Sequence, residues 1–228
     1  MRIEYQQSFV KVAKKVKELS EEKNVISFPL PIIDMISSDD SVELMTYNDF
    51  ANINKCSKGD VKKYGNSNEA FHFKTNNKSF IVYNDDIYYK RLRFTLAHEY
   101  GHVKLKHKGT SLHHTKTFHD QMRINLEEYE ANTFASCLLF PLNLRYKYHE
   151  YLNIDEIAEL FEISYSAAEI AMKILDDHMC EGLDEFISVY EHNQYSTYIS
   201  YLEELLQDKI EYTNMYKEEM EFQMLYYR

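Results

Sequence analysis

The segment Phe94-Thr95-Leu96-Ala97-His98-Glu99-Tyr100-Gly101-His102 has the residue types and spacing of a metal-assisted hydrolytic site. On a helix, positions four apart share a face, so His98 and His102 can aim their imidazoles at one ion. Glu99 lies about 100° round the same helix. There it can reach a water beside the metal rather than the metal itself, as a general base must. With ten His and 24 Glu in the chain, a His-Glu-x-x-His pattern arises by chance about 0.05 times. A surface helix with titrating histidines carries the same letters, so the pattern needs support from elsewhere in the chain.

Catalytic zinc takes three protein ligands and keeps a fourth position open. A third ligand is available in Leu126-Glu127-Glu128-Tyr129-Glu130-Ala131-Asn132-Thr133-Phe134-Ala135. A helix here places Glu128, Ala131, Asn132 and Ala135 on one face. Ala131 and Ala135, set against Ala97 and Gly101, would let two backbones approach closely and bring a Glu carboxylate to the two imidazoles. Glu128 is the first candidate and Glu130 the alternative, while Glu127 reads as a solvated side chain. Asn132, one turn after Glu128, can accept the remaining ring N–H of a ligating His. Two imidazoles, a carboxylate and a water suit zinc, and manganese accepts the same ligand types.

These residues need elements to hold them. Phe9, Val10, Ala13, Val16 and Leu19 recur at helical spacing within a first helix over 5–23. Val42 to Tyr47 reads as a short strand. Ala70 to Lys74 and Ser79 to Asn84 alternate with period two around Thr75-Asn76-Asn77-Lys78, which predicts a hairpin. The second of these strands offers an edge on which an extended substrate could add. Asn84, Asp85 and Asp86 are N-cap candidates for a helix running to about Lys106. Lys108 to Arg123 reads as a polar loop with several histidines, and a helix from Ile124 must end before Pro141. Ser164 is an N-cap between short helices at 154–162 and 165–176.

Composition narrows the class. The 228 residues are 44% hydrophobic and 28% charged, enough to bury a core. Five Gly and three Pro against 20 Tyr and 13 Phe point to a helix-rich fold with short connections. The three cysteines are widely spaced, which fits a reducing compartment. No N-terminal apolar run of signal-peptide type is present, and Val25 to Ser37 is too short and Pro-broken to span a bilayer. The expectation is a cytoplasmic protein without a membrane segment.

Charge is uneven: residues 1–150 carry 22 Lys or Arg against 19 Asp or Glu, and residues 151–228 carry four against 18. The acidic half repels nucleic acid and would favour a basic protein partner. The helix pair at 154–176 is patterned like a helix-turn-helix unit, yet Lys173 is its only Lys or Arg. Direct nucleic-acid binding is therefore not expected of it. The many tyrosines beyond residue 190 read as helix packing against the main body, with an interface as the alternative.

Taken together, Tyr83-Asn84-Asp85, Arg93 to His102, Glu128 to Ala135 running into Leu138-Leu139-Phe140-Pro141, and Ile157 to Ser164 resemble the ImmA/IrrE metallopeptidases of bacteria and their mobile elements. The likeness covers roughly residues 25–176. It implies metal ligands at His98, His102 and Glu128, a catalytic base at Glu99, and a helix-turn-helix repressor as the protein substrate. It also implies an α+β fold: a small mixed or antiparallel sheet with zincin-like active-site helices, then a helical C-terminal region. Residues 1–150 would form the peptidase domain, and 151–228 an acidic helical region made of the 154–176 pair and a Tyr-rich tail. The competing reading is a partner-binding, antitoxin-like module that holds a protein without cutting it. A complete ligand set with Glu99 beside it favours hydrolysis, because a structural zinc needs no base.

Overall fold

A computed structural model describes residues 3–75, 78–107, 118–182 and 195–226. The order of elements is α1 (Ile3–Glu22), α2 (Ile32–Ser37), β1 (Val42–Thr46), α3 (Tyr47–Asn54), α4 (Lys58–Gly65), β2 (Ala70–Thr75), β3 (Lys78–Tyr83), α5 (Tyr89–Lys104), α6 (Phe118–Leu139), α7 (Leu142–Tyr148), α8 (Ile154–Leu160), α9 (Tyr165–Cys180) and α10 (Ser196–Tyr226). The fold is α+β, with a three-stranded mixed sheet among helices and a helical C-terminal region.

Local chemistry starts several helices. Thr46 with Asp49, Ser57 with Asp60, and Asn153 with Glu156 each form a reciprocal cap that satisfies two orphan backbone donors. Ser164 caps α9 by accepting from the Ala167 N–H. Helix α5 begins differently from the sequence expectation. Its N-cap is Tyr88 and makes no side-chain hydrogen bond. Asn84 instead accepts from the Asp86 N–H and donates to the Asn68 carbonyl, while Asp85 and Asp86 pair with Lys58. These side chains tie down a turn rather than start a helix. Helix α6 begins at Phe118, so the last six residues of the expected loop are helical.

The strands run in the order β1-β3-β2, with β1 parallel and β2 antiparallel to β3. Strand β3 is thus the middle of the sheet and not an edge. The edge nearer the His98 helix is β2. Period-two alternation gives each face its own core. Phe71 and Val82 pack with Tyr47, Ala51 and Val61 under α3 and α4. Ile81 faces the main core, which draws on α1, α2, α5 to α10 and the segments between them. His72 pairs with Ile81 across the strands and so shares that second face.

Helices α5 and α6 cross against each other through small residues: Ala97, Gly101, Ala131 and Ala135 are all buried. A Cβ placed on Gly101 would meet the Phe134 ring and Cβ at 3.0–3.1 Å. The other side of α5 is anchored by Asp39, which accepts from Tyr100 Oη (2.8 Å), Ser41 Oγ (2.6 Å) and Lys104 Nζ (2.5 Å). The N-terminal half of α5 holds the end of α8. Arg93 donates to the carbonyls of Phe161, Glu162 and Leu30, and Lys90 to that of Ala158. The carbonyls at the end of α8, which have no partner within the helix, are satisfied this way.

Only part of the Tyr-rich tail packs. Tyr195, Tyr198, Leu202 and Leu206 form one buried stripe on the core, whereas Tyr201, Tyr212 and Tyr216 face outward. The helical period carries these tyrosines off the buried face, and the last turns of α10 extend past the body. Among the described residues, no helix is long and apolar enough to cross a membrane.

Candidate metal centre

The α5–α6 crossing brings three side chains to one point. His98 and His102, one turn apart on α5, place their Nε2 atoms 3.0 Å apart. The Glu128 carboxylate on α6 lies 3.4 Å from His98 Nε2 and 3.6 Å from His102 Nε2. A tetrahedral ion with bonds of 2.0–2.1 Å needs ligand atoms about 3.3 Å apart. The three edges bracket that value, so the donor set fits zinc in type and in size. His98, His102 and Glu128 are a three-ligand group of this kind among the described residues.

Hydrogen bonds on the far sides of the rings set their tautomers. His98 Nδ1 lies 3.0 Å from Asn132 Oδ1, an acceptor, so Nδ1 carries the proton and Nε2 is left with its lone pair. His102 Nδ1 lies 2.9 Å from His107 Nδ1, and His107 Nε2 lies 2.8 Å from the Glu130 carboxylate. The carboxylate accepts from the His107 Nε2–H, His107 Nδ1 then accepts, and His102 Nδ1 donates. His102 Nε2 is again a bare lone pair. Two such lone pairs facing each other repel unless a cation lies between them. Burial, together with the neighbouring His98, His72 and His107, pushes His102 down to about 2, which keeps it neutral. At His98, burial lowers the imidazole, but the Glu128 carboxylate, which would accept from a protonated Nε2, and the Glu99 and Glu128 charges outweigh it, so without an ion between the rings His98 is raised above its ordinary value. The His98 contact in turn holds the Glu128 carboxyl below its own.

Glu130, the alternative ligand, lies outside this group. It is buried against α1, accepting from Ser8 Oγ at 2.9 Å and Lys11 Nζ at 2.9–3.0 Å as well as from His107. Burial raises its carboxyl, and these three donors reverse that, holding it down to about 2. Glu127 is held by Arg123 at 2.8 Å. Glu99 stands beside the ligand triangle, not in it, and its Oε2 is 2.6 Å from His72 Nδ1. The His72 ring also stacks on His102, with centroids 4.8 Å apart.

His72 is the site residue that sequence reasoning missed, and His107, an oxyanion candidate on chemistry alone, instead braces His102. For His72 the signal was present: strand alternation puts it opposite Phe71 and Phe73. By chemistry alone Tyr129, Tyr83 and the histidines at 107, 113, 114 and 119 are candidates to stabilise an oxyanion; of these, Tyr129 packs edge-on against Tyr5, and Tyr83 ends β3. The histidines at 113 and 114 and the side chain of His119 lie outside the described residues.

A peptidase family described as the IrrE N-terminal-like domain matches residues 57–173, just over half the chain, from the cap of α4 into α9. No curated protein matches the chain.

Proposed function

This chain belongs to the family of peptidases with an IrrE N-terminal-like domain, and on that premise we propose that it is a zinc-dependent endopeptidase acting on a DNA-binding repressor. The observation that carries the reading is the pair of Nε2 atoms, 3.0 Å apart, converging with Glu128, with a second carboxylate, Glu99, held just outside the triangle. His98, His102 and Glu128 would hold zinc, which would supply a Lewis acid to polarise the scissile carbonyl and acidify a water. Manganese fits the same donors.

The chain's own residues do the rest. Glu99 takes the proton from the attacking water and returns it to the departing amine. His72 fixes the carboxylate: with Nδ1 protonated it occupies Oε2 and leaves Oε1 to work. Asn132 and the His107–Glu130 pair keep both ligand rings in orientation. Strand β2 is the edge of the sheet and carries His72, so an extended substrate added along its outer side would run beside Glu99. The acidic surface of residues 151–228 supports a basic protein as the substrate, and a DNA-binding repressor is basic where it meets phosphate.

The test is intact-mass analysis of the repressor encoded nearest this gene, incubated with the chain plus zinc or manganese. One metal-dependent cut is expected. Glu99→Gln should lower its rate about 10²–10⁴-fold while one metal per chain remains bound. Release of the repressor that survives Glu99→Gln, with no cut, would replace hydrolysis by the partner-holding module.

A further inference from the structure

Helices α1, α5, α6, α7 and α9 line a cavity of about 730 Å³, within the size range of small-molecule sites. Its lining is mostly apolar, with Phe9, Phe94, Ile170 and Ile174 among the walls. Two buried polar groups in that lining have hydrogen-bonding capacity left over. Arg145 is 1% exposed. Its Nε donates to the Phe140 carbonyl (2.7 Å) and its Nη2 to Ser136 O and Oγ (2.5 and 2.9 Å). Among the described residues its Nη1 has no hydrogen-bond partner, and no carboxylate pairs with the guanidinium. His178 is 2% exposed, its ring packs on Phe9, and its Nδ1 has no hydrogen-bond partner.

Arg93, also deeply buried, shows what this lacks: it has its carbonyl partners and the Glu162 carboxylate at 3.6 Å as well. A guanidinium keeps its charge wherever it is placed, and a buried charge is held at low cost only when an opposite charge meets it. A neutral imidazole can present an N–H from Nδ1. Burial and the Arg145 charge lower His178 and outweigh the opposing Glu181 and Asp177 charges, so the neutral form dominates near pH 7. The two groups make a donor pair with an unmatched positive charge inside an apolar chamber.

We propose that this cavity binds a small carboxylate-headed amphiphile. Its head accepts from Arg145 Nη1 and His178 Nδ1, and its apolar body lies along Phe9, Phe94 and Ile170. The lining comes from helices and the two caps of α9, so an extended peptide finds no strand edge to pair with there, whereas a compact ligand needs none. Asp177 and Glu181 also line the cavity but are exposed and screened by solvent, so the attraction for an anion lies at the buried end. Asn132 lines the same cavity and holds His98, which makes one side chain common to this ligand and the metal centre. The site requires neither a bound metal nor hydrolysis, so it stands independently of the peptidase reading.

Calorimetric titration of the full chain with octanoate and with 1-octanol tests it. Octanoate is expected to bind at one per chain and at least tenfold tighter than the alcohol. His178→Phe keeps an aromatic ring against Phe9; it should retain the helical circular dichroism of the parent and weaken octanoate at least fivefold while leaving octanol unchanged. Ala167→Phe, which fills the cavity from α9, should abolish both. Equal affinities for acid and alcohol, octanoate binding that survives Ala167→Phe, or no saturable heat from octanoate would each overturn the proposal.

Discussion

Glu128 and Glu130 stand two positions apart on α6, about 200° round the helix, and their surroundings differ in kind. The Glu128 side chain is 50% exposed and, among the described residues, meets the two imidazoles; that of Glu130 is 5% exposed and is met by Ser8, Lys11 and His107. Helix α5 repeats the division. His98, Glu99 and His102 converge on the centre, while Tyr100 and Lys104 are tied to Asp39 on the far side. Each helix thus has one side whose charges await an ion or a proton and another whose charges are already matched. The matched side holds the first in place: Glu130 reaches His102 through His107.

The contrast can be broken at chosen points. The largest separation should come from comparing Glu128→Ala with Glu130→Ala. Glu128→Ala should take metal stoichiometry from one to none and change the stability of the metal-free chain by less than about 0.5 kcal/mol. Glu130→Ala should cost about 3 kcal/mol in denaturant unfolding, because His107 and Ser8 lose a buried charged acceptor. Equal stabilities for the two variants would erase the distinction. Asn132→Ala should weaken metal binding about 10–100-fold in a chelator competition, by freeing the His98 ring, with little change in melting temperature.

The smallest effect should come from Asp39→Asn, which relaxes the matched side of α5 without touching the centre. Burial raises the Asp39 carboxyl, but donors from Lys104, Ser41 and Tyr100 outweigh it and hold it well below its ordinary 3.8. The ionised form is thus favoured by folding. Its contribution is complete above a pH of about 3.8 and is lost as pH falls through the folded-state value. Asp39→Asn should be about 1–2 kcal/mol less stable than the parent at pH 7. The gap should narrow steadily in unfolding curves taken below about pH 4, and a gap independent of pH would contradict the role of the charge.

Much of this arrangement is legible in the sequence because it depends on short-range spacing. The one-turn interval from His98 to His102, the small residues Ala97, Gly101, Ala131 and Ala135, and the interval from Glu128 to Asn132 are statements about one helix face. The hairpin and the Ser164 cap are equally local. What could not be read depends on which distant segments meet. His72 reaches Glu99 only because β2 borders α5 on the correct face, and the order β1-β3-β2 is set by pairing between strands far apart in sequence. Glu130 looks like any exposed helix glutamate until α1 covers it with Lys11. Two features were readable and went unread: Thr46-x-x-Asp49 and Ser57-x-x-Asp60 signal the starts of α3 and α4.

The contact of Gly101 with Phe134 sets the bite of the centre. The helix carrying two donors and the helix carrying the third approach until the bare backbone at 101 meets a ring, with no room for one more methyl group. A side chain there would move α6 by a few tenths of an ångström, comparable to the roughly 0.2 Å tolerance that distinguishes a good coordination distance from a poor one. The missing Cβ therefore works as a calliper: it holds the span between the imidazoles and the carboxylate to the width that a tetrahedral ion would require.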